Sequence, residues 1–91
     1  MSWTVIYRDS AKKSLERIRK GNAKLAEQIA EKVALLASNP YPSGVTKLGG
    51  KEDYYRIQVR TFRIVYQVSK GILQVLIIEI GPRGDIYGKL R

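Results

Sequence analysis

The spacing of apolar residues takes three forms along the chain: it is strand-like at first, then helical, and finally strictly alternating. Residues 3–7 (WTVIY) are β-branched or aromatic and predict a strand at or near the edge of a sheet. Two helices are predicted next, marked by Ala11, Leu15 and Ile18 and by Leu25, Ile29, Val33 and Leu36. Asp9 or Ser10 is expected to cap the first helix, and Asn22 the second. Because Gly21 and Asn22 are a very short link, we expect an antiparallel helical hairpin.

Residues 39–53 are rich in Pro, Gly and Ser and predict a loop. Alternation then predicts two strands, over residues 55–59 and 62–68, and residues 69–71 predict a turn in which Gly71 is suited to positive φ. Residues 72–80 predict a long apolar strand inside the sheet. The fold class is therefore α+β: an N-terminal strand, then an antiparallel helical hairpin packed on one face of an antiparallel sheet, in a single domain over residues 1–91.

The first predicted β-hairpin has a register that its own alternation enforces, because a one-residue slip would bury arginines. Symmetry about its turn pairs Val59 with Phe62, Ile57 with Ile64 and Tyr55 with Tyr66, all under the helices. The face without helices then carries Arg56, Gln58, Arg60 and Arg63. In the second hairpin, a three-residue loop would place Arg63 opposite Ile77 and bring Glu79 onto the same face, where it could pair with an arginine.

Composition limits the chemistry that this chain can perform. There is no cysteine and no histidine, which removes disulfides, thiolate metal sites and the commonest general base. The net charge of +9, from 17 basic and 8 acidic residues, favours a polyanionic partner. No apolar run could span a membrane, and Met1 leads into a strand-like segment without a signal-peptide core, so we expect a cytoplasmic protein.

Arginines fixed on neighbouring strands suit phosphate, whose oxygens guanidinium groups bind in pairs. The ordinary alternative is that basic residues on the open face of a sheet only keep it solvated. Tyr87 lies in a polar, glycine-flanked segment and is a candidate for stacking on a base, with packing of the tail against the sheet as the alternative. Gly49 and Gly50 are a weak indication of a phosphate-binding turn.

Three segments of the chain form a recognisable set: KLGG at residues 47–50, YYRIQVRTFRIVYQV at residues 54–68 and IGPRGDIY at residues 80–87. Together they resemble the RelE/ParE toxin superfamily of type II toxin–antitoxin systems, and its RelE-like branch in particular. The resemblance implies the RelE-like fold and a ribosome-dependent endoribonuclease that cuts mRNA by attack of a 2′-hydroxyl on the adjacent phosphate. It implies no metal or other cofactor. The implied partners are the ribosome, mRNA and an acidic, RelB-like antitoxin in a toxin–antitoxin hetero-oligomer.

The resemblance also assigns residues to roles. Arg56 matches a catalytic lysine or arginine, Arg63 and Arg83 match arginines that clamp the phosphate, and Tyr87 matches a tyrosine that orients the base. We expect further RNA contacts from Lys47, Lys51, Gln58 and Arg60.

Gln58 departs from this pattern, because it stands where the best-studied branch has a lysine that is proposed as general base, and glutamine cannot remove a proton. Gly49 replaces a basic residue, and Pro82 stands where many relatives have histidine. Two alternatives therefore stay open: a ParE-like inhibitor of DNA gyrase without nuclease activity, or a catalytically weak relative that acts mainly in a DNA-binding complex with its antitoxin.

Overall fold

Five strands and two helices make up the part of the chain that the computed structural model describes, residues 2–48 and 53–82. The elements are β1 (Thr4–Tyr7), α1 (Asp9–Gly21), α2 (Ala23–Leu35), β2 (Thr46–Lys47), β3 (Tyr54–Val59), β4 (Phe62–Ser69), a 3-10 turn (Lys70–Ile72) and β5 (Gln74–Pro82). The predicted α+β class is confirmed. β2 lies within the predicted loop, and it was missed because two residues are too few to show alternation.

The strands form one sheet in the order β1-β5-β4-β3-β2. β1 is an edge strand, and β5 lies inside the sheet, as predicted. Neighbouring strands are antiparallel except for β1, which runs parallel to β5. The chain between β1 and β5, residues 8–73, contains both helices and three strands, and a connection of that length permits a parallel pairing.

The two helices begin differently. Asn22 caps α2, since its side chain accepts a hydrogen bond from the backbone N–H of Leu25 at 3.1 Å, as predicted. The predicted cap of α1 is wrong: the helix begins after Arg8, without a side-chain cap hydrogen bond. Ser10 instead donates its hydroxyl to the carbonyl oxygen of Ile78 at 3.3 Å, which ties α1 to β5.

Both helices cover the same face of the sheet. Their buried residues form one core with the inward residues of β3, β4 and β5, namely Ala11, Leu15, Ala26, Ile29, Val33, Leu36, Ile57, Ile64, Tyr66, Val68, Val75, Ile77 and Ile80. The opposite face, here called the helix-free face, has a small apolar cluster of its own. There Val65 and Ile78 are buried beneath Leu48, Tyr54 and Leu76.

The register of the first β-hairpin is as predicted, with Val59 opposite Phe62 and Tyr55 opposite Tyr66. The predicted register of the second is wrong. Arg63 faces Gly81 rather than Ile77, because a register shift follows Val65 and the turn is longer than three residues.

The physical cause lies in two local features. Val65 is opposite Glu79 while Tyr66 is opposite Ile77, so Ile78 is an extra residue in β5, as in a β-bulge. The turn closes with Leu73, which adopts a left-handed conformation with φ 50°. The predicted positive φ of Gly71 is wrong for the same reason, since Leu73 takes that position.

Candidate functional site

Arg56, Gln58 and Arg63 lie together on the helix-free face, and we call them the arginine surface. Gln58 is directly opposite Arg63, and Arg56 is opposite Val65, the position two residues further along β4. The two arginines are therefore diagonal neighbours, about 7–8 Å apart at their backbones and within reach of one another's long side chains. Strands β3 and β4 fix this spacing, so the arginines are arranged before any ligand binds.

Arg56 is held in place by the edge of the sheet. Its guanidinium donates a hydrogen bond to the hydroxyl of Thr46 at 3.0 Å, and Thr46 is directly opposite Arg56 in the pairing of β2 with β3. The contribution of Thr46 was not predicted, because it depends on a strand that sequence alternation does not show. This hydrogen bond occupies one nitrogen and orients the planar group.

Arg63 has a side-chain donor for which the described part of the chain offers no acceptor. Its side chain is half-buried, and its Nε is buried without a hydrogen-bond partner among the described residues. A buried donor without a partner costs about 1–3 kcal/mol. An anion that accepted a hydrogen bond from this nitrogen would remove that cost, and phosphate oxygens bind guanidinium groups in pairs. Arg63 is therefore well suited to an anionic ligand.

Gln58 and Arg60 are tied to the turn between β3 and β4. The side-chain amide of Gln58 donates to the carbonyl oxygen of Arg60 at 2.8 Å. Arg60 has φ 55°, and its Nε donates to the side chain of Gln28 in α2 at 2.9 Å. The predicted position of Arg60 on the helix-free face is wrong, because the left-handed turn directs its side chain to the helices. There it lines a cavity of about 180 Å³ with Asn22, Lys24, Leu25 and Gln28.

The other predicted site residues are not part of the arginine surface as described. Lys47 is exposed and pairs with Tyr55, so its register position is on the opposite face from Arg56. Lys51, Arg83 and Tyr87 lie outside the described residues, and their predicted roles stay predictions.

Glu79 is the acidic residue nearest in register to the arginine surface, opposite Val65. It is only 6% exposed, and its Oε1 accepts hydrogen bonds from the hydroxyl of Ser14 in α1 at 3.3 Å and from the backbone N–H of Ile80 at 3.2 Å. The carboxylate therefore lies against α1, and the prediction that Glu79 joins the helix-free face is wrong, because the β-bulge at Ile78 changes the alternation of β5. Over residues 2–48 and 53–82, no group of three metal-ligating side chains comes together. No helix in that part of the chain is long and apolar enough to cross a membrane.

The fold and the arginine surface together define a class of protein: a small, strongly basic α+β domain that presents two guanidinium groups on a rigid sheet. Comparison with known proteins places it more closely. The family model for the ParE toxin of type II toxin–antitoxin systems matches residues 5–87. A protein of Escherichia coli described as a RelE-like toxin is 34% identical over 92 residues, covering 96% of this chain and 92% of that protein.

A second relative found by sequence and two solved structures are also RelE toxins. The mRNA interferase toxin RelE of Escherichia coli K12 is 30% identical over 87 residues, covering 91% of this chain and 90% of that protein. Among solved structures, an arginine-to-alanine double mutant of Escherichia coli RelE in the free state superimposes with a TM-score of 0.79 at 25% identity, covering 97% of this chain and 93% of the other. RelE from the RelE–RelB complex of Pyrococcus horikoshii gives 0.78 at 26% identity, covering 93% and 99%.

The chain therefore belongs to the RelE/ParE superfamily of toxins from type II toxin–antitoxin systems, in its RelE-like branch.

Proposed function

We propose that this toxin is a ribosome-dependent endoribonuclease that cleaves mRNA without a metal ion. The observation that carries the proposal is the arginine surface, where Arg56 and Arg63 lie on adjacent strands and the buried Nε of Arg63 has no partner among the described residues. A phosphodiester supplies the missing acceptor. The names of the relatives support the same activity, since two of them are mRNA interferases.

The proposed reaction is an in-line displacement at phosphorus. The ribose 2′-hydroxyl loses its proton and attacks the neighbouring phosphate, the bond to the 5′-oxygen breaks, and that oxygen takes up a proton. The products are a 2′,3′-cyclic phosphate and a 5′-hydroxyl. Negative charge accumulates on the phosphate during the step, and fixed guanidinium groups stabilise it without reorganising. Arg56 and Arg63 perform this task, while Arg83 and Tyr87 complete the clamp and orient the base.

No dedicated general base acts in this proposal. Gln58 lies between the two arginines in the β3–β4 pairing, but its amide cannot accept a proton and donates to Arg60. Lys47 belongs to the opposite face by its register. Loss of a general base lowers the rate by about 10²–10⁴-fold. Holding the reacting groups in line still provides a large rate enhancement without that base. The ribosome supplies that alignment, which also places the toxin in the cytoplasm.

The proposed partner is a cognate acidic antitoxin that covers Arg56 and Arg63 in a hetero-oligomer. A domain of net charge +9 attracts an acidic chain, and a disordered acidic segment can fold on such a surface. Two solved relatives were determined with RelB as toxin–antitoxin complexes, from Pyrococcus horikoshii and from Escherichia coli. Expression of the toxin alone should arrest growth, and co-expression of the acidic neighbouring gene should restore it and yield a co-purifying complex. Harmless expression of the toxin alone at high level contradicts a toxin.

The nuclease proposal is tested on ribosomes programmed with a defined mRNA. We expect cleavage of ribosome-bound mRNA, little cleavage of the same mRNA free in solution, and a 5′-hydroxyl on the downstream fragment. Intact mRNA after long incubation with a folded toxin contradicts the proposal.

The second candidate function is inhibition of DNA gyrase, which the description of the matched ParE family model favours. The same preparation decides between the two in a supercoiling assay. We expect unimpaired supercoiling by gyrase in the presence of the toxin. Inhibited supercoiling together with intact mRNA would assign the chain to the gyrase-directed activity instead.

A further inference from the structure

Gly81 is placed directly opposite Arg63 on the helix-free face. It belongs to β5 and pairs with Arg63 of β4, which in turn pairs with Gln58 of β3. Residues directly opposite in an antiparallel pair have their backbones about 4.5–5.5 Å apart and direct their side chains to the same face. A side chain at position 81 would therefore stand beside that of Arg63.

Among the described residues, neither backbone conformation nor packing explains a glycine at position 81. Gly81 does not have the positive φ that favours glycine, in contrast to Gly44 with φ 86°. A Cβ built on Gly81 meets no atom of the described residues within 4 Å. Glycine weakens the strand that contains it, and inside strands it often marks a place where a ligand or another backbone approaches closely. Within residues 2–48 and 53–82, no contact requires that position 81 lack a side chain.

Arg63, the residue paired with Gly81, provides a second and independent sign of a ligand. Its Nε is buried without a hydrogen-bond partner among the described residues, although its side chain is only half-buried. Among the described residues, one strand thus provides an unsatisfied cationic donor, and the strand beside it provides empty space. An anion held by Arg63 on this side requires the space above Gly81 to stay empty, and it reaches the buried Nε only when the half-buried side chain turns towards it.

The geometry points to Gly81 as the residue that keeps a phosphate seat open beside Arg63, where the phosphodiester of the RNA substrate lies. We define the phosphate seat as the space above Gly81 next to Arg63. This inference rests on the proposed nuclease function and adds a residue that positions the substrate without touching it chemically. Gly81 acts through Arg63, so its substitution should change substrate engagement while leaving the fold intact.

A series of side chains of increasing size at position 81 tests the phosphate seat in the full-length toxin. Gly81→Ala, Gly81→Val and Gly81→Leu should melt at the wild-type temperature or above it, because each favours a strand over glycine. Single-turnover cleavage on programmed ribosomes should fall with side-chain size, by roughly 10²-fold for leucine. Wild-type cleavage by a folded Gly81→Leu toxin overturns the inference, and Gly81→Val decides in its place should the leucine variant not fold.

Gly71 offers a matched control in the same hairpin. It also has no atom within 4 Å of a built Cβ and no positive φ, but it lies in the turn at the other end of β4 and β5. Gly71→Val and Gly71→Leu should cleave within about threefold of wild type. If they lose as much activity as the Gly81 variants, the effect is not specific to the phosphate seat and the inference is overturned.

The dependence on Arg63 is tested by combining substitutions. If Gly81 acts through Arg63, Gly81→Leu should lower the rate by less than about threefold in an Arg63→Ala background, because the interaction it blocks is already absent. Full additivity of the two losses overturns the inference, since it shows that position 81 acts on something else.

A titration followed by NMR separates this inference from the nuclease proposal. The probes are inorganic phosphate in one arm and, in the other, an RNA trinucleotide with a 2′-deoxyribose at the cleavage position. Either probe should shift the Nε–H signal of Arg63 and the amide signal of Gly81 in the wild type, and Gly81→Leu should abolish the shifts. If the signals shift but the toxin cuts no mRNA, the phosphate seat is supported and the proposed nuclease function is contradicted. The absence of shifts in both arms overturns the phosphate seat, whether or not mRNA is cut.

Discussion

Gln58 is the residue of the arginine surface that departs from the family pattern, in which a lysine stands at this position in the best-studied branch. It faces Arg63 across the β-hairpin, yet its amide nitrogen is engaged with the carbonyl oxygen of Arg60. The residue therefore supports the turn, and in the proposed reaction it takes no part in proton transfer. A group that could hold a proton at this position would lie between two guanidinium groups, and their charge would lower the pKa of an amine there.

Gln58→Lys should therefore raise the rate of cleavage, because a lysine at this position has a lowered pKa and can act as general base. Single-turnover cleavage on programmed ribosomes measures the effect. Gln58→Met serves as the control, since it keeps the length of the side chain but cannot carry a proton. An unchanged or slower Gln58→Lys toxin would show that proton transfer at this position does not limit the reaction.

Tyr66 shows how a polar atom is accommodated in a core this small. Its hydroxyl is buried and donates a hydrogen bond to the carbonyl oxygen of Pro40 at 2.6 Å, and its ring stacks on Tyr55 with centroids 5.9 Å apart. Tyr55 in turn meets Tyr41 edge to face at 5.2 Å. Burial raises the pKa of Tyr66 well above its ordinary value of 10.0. The three rings fasten the segment after α2 to the sheet.

Tyr66→Phe should lower the free energy of unfolding by about 1–2 kcal/mol, because it leaves the carbonyl oxygen of Pro40 without its donor. The raised pKa adds a pH dependence: its contribution to stability is complete below pH 10 and is lost as the pH rises further, because the unfolded chain ionises first. Denaturant unfolding from pH 7 to 11 should therefore show a shallower alkaline loss in Tyr66→Phe than in the wild type.

Tyr7→Phe is the matched comparison, because burial also raises the pKa of Tyr7. It should flatten the alkaline loss without a comparable loss of stability at pH 7. Equal losses at pH 7 in the two variants would show that the hydrogen bond to Pro40 contributes nothing specific.

The turn between β3 and β4 is the element that decides which arginines share a face. Arg60 adopts a left-handed conformation with φ 55°, which carries its side chain to Gln28 on the helix side. For a residue other than glycine, that conformation costs about 1–2 kcal/mol. The hydrogen bonds made by Arg60 and Gln58 around the turn offset part of this cost.

Arg60→Gly should change the free energy of unfolding by no more than about 1 kcal/mol, since relief of the left-handed strain offsets the lost hydrogen bond to Gln28. Thr61→Gly, at a neighbouring turn position without positive φ, should only destabilise the protein. Cleavage by Arg60→Gly should stay within tenfold of wild type, because Arg60 is not on the arginine surface. A larger loss in a stably folded Arg60→Gly variant would restore the predicted RNA contact of this residue.

The two β-hairpins show how far the sequence predicts this sheet. The register of β3 with β4 is predictable, because alternating apolar residues flank a short turn and any slip would bury an arginine. The register of β4 with β5 is not, because the extra Ile78 and the left-handed Leu73 have no signature in an apolar strand. For this reason the sequence predicts Ile77 opposite Arg63, whereas the structure has Gly81 there. The proposed phosphate seat could therefore not be predicted from the sequence.

The periodicity of apolar residues also fails to predict the short edge strand β2 and the direction of β1 relative to its neighbour. The two residues of β2 show no alternation, so Thr46 and its hydrogen bond to Arg56 could not be predicted. The alternation of β1 does not disclose that its partner β5 runs parallel to it. The predictable part of the candidate site is the pair Arg56 and Arg63, and the residues that hold or expose this pair required the structure.

At the scale of the whole molecule, net charge and fold contribute to binding over different distances. A net charge of +9 attracts polyanions at long range, such as the proposed RNA substrate or an acidic antitoxin, and salt weakens this attraction. General attraction of this kind depends on the total charge and not on the position of any one arginine. The arginine surface acts only at short range, through two guanidinium groups held by rigid strands. Comparing one arginine inside this surface with one outside it therefore separates specific phosphate binding from general attraction.

The measurement that tests this account most directly is single-turnover mRNA cleavage on programmed ribosomes by Arg63→Ala and Arg8→Ala. Each substitution removes one positive charge, but Arg8 is exposed and precedes α1 beside the edge strand β1. We predict a loss of roughly 10²-fold or more for Arg63→Ala and less than about threefold for Arg8→Ala, with both variants folded. Equal rates for the two variants, whether both are reduced or both are at the wild-type level, would contradict the assignment of Arg63 as a phosphate ligand.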